Sequence, residues 1–169
     1  MSVIETIKSY LSTETTEDIR AALHDDHVRI RELATEMSEA KTASRRIASF
    51  EALKPLLTAH ARTEERVVYE ALVKVRGSAE SHDLGNEGFV EHSLVDVLLE
   101  RLGKTSLAGT DAWKAHAIVL KELLDHHVKE EESEIFNALG EHFGEETLAA
   151  MATEFQQGKA KLLDELQEA

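Results

Sequence analysis

Apolar residues recur at steps of three and four through long stretches of this chain, a period that helices satisfy and strands do not. One such stripe, Ile19, Leu23, Ile30, Leu33 and Met37, predicts a first long helix from about Thr16 to Ala40. A second carries Phe50, Leu53, Leu57, Val67 and Ala71 and predicts a helix from about Thr42 or Ser44 to Val75, kinked or broken near Lys54 by Pro55. A third covers about Glu87 to Leu102. A fourth, from about Asp111 to Leu139, carries Trp113, Ala117, Leu120, Leu124 and Ala138, and a fifth follows Gly144 with Leu148, Met151, Phe155, Leu162 and Leu166. A short helix around Val3 to Leu11 precedes them. Gly77, Gly85, Gly88, Gly103, Gly109, Gly140 and Gly144 fall in three clusters that read as breaks, and Gly158 alone sits inside a helical pattern.

One proline, 5% aromatic residues and no Val/Ile/Thr alternation exclude a strand-built fold. The 169 residues suit one domain with one core. The expectation is therefore all-α: an antiparallel up-down four-helix bundle over 16–140, a short helical extension in 1–15, and an extra amphipathic helix in 141–169. That last helix would cover the bundle or a second copy of the chain, as a homodimer.

The charge balance narrows the partners. The excess of 33 acidic over 19 basic residues, with a net charge of -14 and a pI near 5.0, argues against a phosphate-binding surface, and no nucleic-acid partner is expected. The start Met1-Ser2-Val3-Ile4-Glu5 is not a secretory leader, and no run approaches the roughly 18 apolar residues of a membrane span, so a cytoplasmic location without membrane partners is expected. The absence of cysteine excludes disulfides, iron-sulfur clusters, thiolate zinc sites and a cysteine nucleophile. Any metal here needs imidazole and carboxylate ligands.

Those ligands stand in the apolar seams. On the second helix the series Leu53, Leu57, His60, Glu64, Val67, Ala71 puts an imidazole and a carboxylate on consecutive turns of the inward face. The fourth repeats it as Leu120, Leu124, His127, Glu131, Ile135, Ala138, while the first and third supply His27 and His92, the latter with Asp96 four residues on. About two His-x-x-x-acid pairs are expected by chance, and the chain has five. His142 with Glu146 spans Gly144, and His126 with Glu130 is one step out of register. His60 and His127 each precede an Ala-Leu pair by eleven and twelve residues, which selects His127 over His126. A lone buried carboxylate costs several kcal/mol, so Glu64 and Glu131 call for a cation, an ion pair or a proton. Four imidazoles and two carboxylates exceed one tetrahedral zinc and suit two six-coordinate first-row ions, iron first, then manganese, with zinc still open.

From Thr16 to Leu139 these residues resemble the hemerythrin-like, or HHE cation-binding, domains. The resemblance rests on Leu23-His24-Asp25-Asp26-His27, His60-Ala61-Arg62-Thr63-Glu64-Glu65, Glu91-His92-Ser93-Leu94-Val95-Asp96 and His126-His127-Val128-Lys129-Glu130-Glu131-Glu132. It implies a four-helix bundle around a non-haem di-iron centre, oxo- or hydroxo-bridged, with His27, His60, Glu64, His92, His127 and Glu131 as ligands and the glutamates as bridges. Oxygen-carrying hemerythrins place two histidines four apart on the third helix. Here Asp96 follows His92 instead, which speaks against simple reversible oxygen transport, whether Asp96 is a ligand or supports one. Those carriers also end with His and Asp five apart, so Glu132 competes with Glu131. The lack of cysteine separates the chain from the family's iron-sulfur-repair members.

The leading expectation is a di-iron protein that binds, senses or turns over a small oxidant, O2, H2O2 or NO, with catalase- or peroxidase-like turnover if it is an enzyme. A metal-stabilised interaction module without catalysis is the alternative. A ferritin-like store or ferroxidase fits less well, because no Glu-x-x-His pair is present. His24 and His116 read as hydrogen-bonded boundary residues, His82 and His142 as helix-end residues. Tyr69, five residues past Glu64 and so about 140° round a regular helix, reads as core-edge packing.

Overall fold

The computed structural model describes residues 18–168, so the helix expected in 1–15 lies outside them. Helix α1 (Ile19–Glu39) starts where the Asp18 carboxylate accepts from the Arg20 amide. Helix α2 (Ala43–Glu64) follows a Thr42 cap and runs into a π-helical turn, Glu65–Tyr69, and then α3 (Glu70–Val73). Helix α4 (Ala79–Leu102) is capped by Ser78. After a 3-10 turn at Thr105–Leu107, Thr110 caps α5 (Asp111–Glu130). A second π turn, Glu131–Ile135, leads into α6 (Phe136–His142), and α7 (Glu145–Glu168) ends the described chain. All of this is helical, with no strand among the described residues.

The helices pack as a ring: α1 on α2, α2 and α3 on α4, α4 on α5, and α5 back on α1, with α7 laid across α1 and α2. Two apolar clusters form the interior. One gathers Ile30, Leu33, Met37, Leu53, Leu57, Leu99, Trp113 and Leu120 at one end; the other gathers Ile19, Leu23, Val68, Leu72, Leu139 and Phe155 at the opposite end. Each fully buried side chain of this kind stabilises the fold by roughly 1.5–3 kcal/mol. On every long helix of the ring the polar residues singled out above fall between these clusters.

Three expectations need correction. Pro55 does not end its helix, which continues from Ala43 through Glu64. The third helix begins eight residues before Glu87, with Gly85 and Gly88 inside it. A Cβ on Gly88 would stand 2.5 Å from the Tyr69 ring, and one on Gly85 would meet Val73 at 2.8 Å, so these glycines permit close helix packing instead of breaking a helix. Gly140 likewise lies within α6. On the last helix Leu148, Met151, Phe155 and Leu163 face inward, while Leu166 is 42% exposed. No helix of the described residues is long and apolar enough to cross a membrane.

Candidate metal centre

The two π turns follow directly on the two His-x-x-x-Glu sequences. In each, an amide reaches back five residues, Glu70 to the Glu65 carbonyl and Phe136 to the Glu131 carbonyl, which widens the helix by one residue. Such turns cost regular hydrogen bonding and occur often at functional sites. Here the first one carries Tyr69 round to the face of Glu64.

His27, His60, Glu64, His92, His127 and Glu131 all meet in the layer between the two apolar clusters, none more than 3% exposed. The set is a two-fold repeat in space. His60 Nε2 lies 3.2 Å from Glu64 Oε2, and His127 Nε2 lies 3.4 Å from Glu131 Oε2. The lone histidines cross over: His27 Nε2 is 3.2 Å from Glu131 Oε2, and His92 Nε2 is 3.7 Å from Glu64 Oε2. The His27 and His60 rings meet edge-on at 5.2 Å, the His92 and His127 rings at 4.9 Å.

Every imidazole is backed by a carboxylate on its outer nitrogen. Asp26 takes His60 Nδ1 at 3.1 Å and Glu91 takes His127 Nδ1 at 2.5 Å. Glu65 takes His92 Nδ1 at 3.1 Å and Glu132 takes His27 Nδ1 at 3.0 Å. These four acids are sequence neighbours of the inward residues, in the order Asp26-His27, Glu64-Glu65, Glu91-His92, Glu131-Glu132. A carboxylate on Nδ1 fixes the tautomer and turns the Nε2 lone pair inward, the arrangement of metal-binding histidines. With both outer nitrogens donating, the Nε2 atoms of His92 and His127 face each other at 3.2 Å, a contact that needs a proton or cation between them.

The electrostatics point the same way. Burial disfavours charge on His60, but Glu64 and Asp26 outweigh it and push its pKa up to about 10. The same contest, with Glu131 and Glu91, raises His127 to about 9, and His27 also rises. Against the cost of burial, His127 and His27 hold the Glu131 carboxyl far below the usual range. Among the described residues three buried atoms keep no hydrogen-bond partner: His27 Nε2, Glu64 Oε1 and Glu131 Oε2. Two groups sharing Glu64 could each hold a cation, His27 with His60, Glu64 and Glu131, and Glu64 with His92 and His127. The donor chemistry therefore fits metal cations.

Several residues lie elsewhere than the sequence suggests. Asp96 is on the surface in an ion pair with Arg62, so it does not take the place of an imidazole; it reaches His92 only indirectly, through Arg62 and Glu65. Tyr69 occupies the interior instead, which overturns its reading as core-edge packing. Its ring packs on His92, and its hydroxyl donates to Glu131 and to Glu64 at 3.3 Å. Glu132 is an outer partner, shared between His27 and the exposed His24. His82 bonds the Val75 carbonyl and His116 the Ala112 carbonyl, both outside the centre. The last helix brings Lys159, only 2% exposed, whose Nζ donates to both oxygens of Asp26 at 2.6 and 2.7 Å. Sequence spacing gave no sign of Lys159; the Gly85 and Gly88 pair was the available sign of Tyr69.

No solved structure matches this chain. A protein described as a DNA nickase, from Nostoc sp. (strain PCC 7120), is 28% identical over 149 residues, which is 88% of this chain and 41% of that relative. The chain thus spans about two-fifths of the relative's length. A family model, the hemerythrin HHE cation-binding domain, matches residues 18–139, and the chain belongs to that family.

Proposed function

We propose that this protein is an up-down four-helix bundle holding two iron ions, with His27, His60, Glu64, His92, His127 and Glu131 as ligands, and that it binds, senses or turns over a small oxidant such as O2, H2O2 or NO. The observation that carries this reading is the spatial repeat of six inward donors, with His27 Nε2 facing Glu131 Oε2, and Glu64 Oε1 buried beside them, without a hydrogen bond. Glu64 and Glu131 each face one histidine of either helix pair and suit a bridging role. Bound iron would supply one-electron and oxygen chemistry. The protein's own part is to orient the imidazoles, keep bulk water out of the layer, and hold a proton on Tyr69 Oη. Burial, then Glu131 and Glu64, raise the phenol pKa well above its ordinary value, so that hydroxyl stays protonated where it faces both glutamates.

Metal analysis of the purified protein, with its visible spectrum before and after peroxide, tests the reading. About two irons per chain and a near-ultraviolet band that responds to peroxide are expected for the di-iron class. No metal, or one zinc with no spectral response, would reduce the protein to an interaction module.

The relative's name supplies a second reading, DNA nicking, to which metals held by this chain's own residues would supply the chemistry. The net charge of -14 opposes the approach of a DNA backbone. Metal-dependent nicking of supercoiled plasmid by this chain, lost in Glu64→Gln, would favour that reading over the oxidant one.

A further inference from the structure

The out-of-register pair His126 and Glu130 is not used by the centre, yet it converges with Glu91 just outside it. His126 Nε2 lies 3.2 Å from Glu130 Oε2 and 3.8 Å from Glu91 Oε1, and the three residues offer ligand atoms within 4.8 Å of one another. Glu91 faces both ways, since its other oxygen takes His127 Nδ1. A crevice of about 20 Å³, room for one water-sized particle, runs beside Glu91 and Glu130, with His126 outside its lining. Glu87, Glu91 and Glu130 line its outer part, and His127 and Glu131 line its floor. That floor residue, Glu131, is 2% exposed, and its Oε2 lies 3.4 Å from His127 Nε2 and 3.2 Å from His27 Nε2 without a hydrogen bond.

The spatial repeat provides a control within the same molecule. Sixty-seven residues before His126 and Glu130 stand Ala59 and Thr63, both wholly buried, with Thr63 against Gly158 of α7. In place of Glu91 stands Asp26, already neutralised by Lys159. A cation approaching that side meets an ammonium group and a covering helix. On the α4/α5 side, among the described residues, it meets three carboxylates and an imidazole.

We propose that Glu91, His126 and Glu130 form a separate loading site, which takes a hydrated divalent first-row cation at the surface and passes it by ligand exchange along the Glu91 carboxylate to His127 and Glu131. This rests on the metal reading of the centre. The test compares the wild-type chain with H126A/E130Q, changed only at residues outside the centre, and with H126A's neighbour control His116→Ala. Helical content by circular dichroism checks that all three fold. Anaerobic Fe2+ uptake is followed in time, and Mn2+ stoichiometry is measured by the paramagnetic signal of the free ion.

The double variant should load at least about ten-fold more slowly, the lower end of what a single-sign cleft adds to an on-rate. It should reach the same final iron content and lose one weak Mn2+ site, while His116→Ala behaves as wild type. Equal uptake rates and equal Mn2+ stoichiometry, with the inner ions still bound, would overturn the loading site alone. Failure of the wild-type chain to take up any inner metal would overturn the centre as well.

Discussion

The two halves of the centre use the same parts and differ in what surrounds them. In the half built on α1 and α2, His60 is held by Asp26, Asp26 by Lys159, and α7 closes the outside. In the half built on α4 and α5, His127 is held by Glu91 with no lysine behind it among the described residues, and a crevice lies beside it. Phe136 stacks on His27 in one half, and Tyr69, sixty-seven residues earlier, packs on His92 in the other. The repeated residues are those that cation binding needs. The surroundings differ: Lys159 stands behind Asp26, His126 and Glu130 stand beside Glu91, and a phenol replaces a phenyl ring.

The largest expected effect removes the repeat itself. Glu64→Ala and Glu131→Ala should each strip most of the metal, beyond the roughly 10–100-fold affinity loss typical of outer partners, while His82→Ala keeps it. Normal metal content in either glutamate variant would break the equivalence of the halves. Next, Lys159→Met leaves the buried Asp26 carboxylate without its ammonium partner and should cost roughly 3–5 kcal/mol of stability in denaturant unfolding. Glu91→Gln, on the half-buried side, should cost clearly less, and equal losses would mean that α7 does not distinguish the halves.

Acid-base behaviour sharpens the contrast further. His60 and His127 have folded pKa values raised to about 10 and about 9. In the metal-free chain their pairing contributes stability that is complete below the unfolded value near 6.5 and is lost as pH rises through those folded values. Thermal melts of the metal-free chain should therefore fall between about pH 7 and pH 10. A flat melting temperature across that window would count against buried imidazolium-carboxylate pairs. The smallest effect belongs to Tyr69→Phe, which makes the halves more alike. It should change stability by about 1 kcal/mol and leave metal content intact, while altering the spectral response to peroxide. An unchanged response would remove the phenol from the chemistry.

The inward donors were legible in the sequence because they replace apolar residues in seams whose period is otherwise unbroken, as His60 and Glu64 do between Leu57 and Val67. The four-carboxylate surround was visible only as adjacency, since a helix gives no reason for Asp26 to reach across to His60. Tyr69 was misread for a specific reason. Counting at 3.6 residues per turn fails across a π turn, and nothing local in Glu65–Tyr69 announces one. Gly85 and Gly88 were misread because glycine marks both helix breaks and close packing, and the facing ring decides between them. Lys159 was out of reach, standing 133 residues from Asp26 on a helix whose stripe looked purely apolar.

The crossing of the outer carboxylates has a consequence for how the chain folds. Glu132 holds His27 and Glu65 holds His92, so each helix pair borrows a support from the other. Neither pair can align both of its imidazoles while it stands alone, since only His60 and His127 find their carboxylate within their own pair. The Glu65–His92 contact spans 27 residues, but the Glu132–His27 contact requires segments 105 residues apart in the chain to have docked, which places it late in folding. A nascent or half-folded chain thus presents loose histidines to metal, and a tight grip arrives only with the finished bundle. On the metal reading, tight metal capture would report that all four helices of the ring have docked.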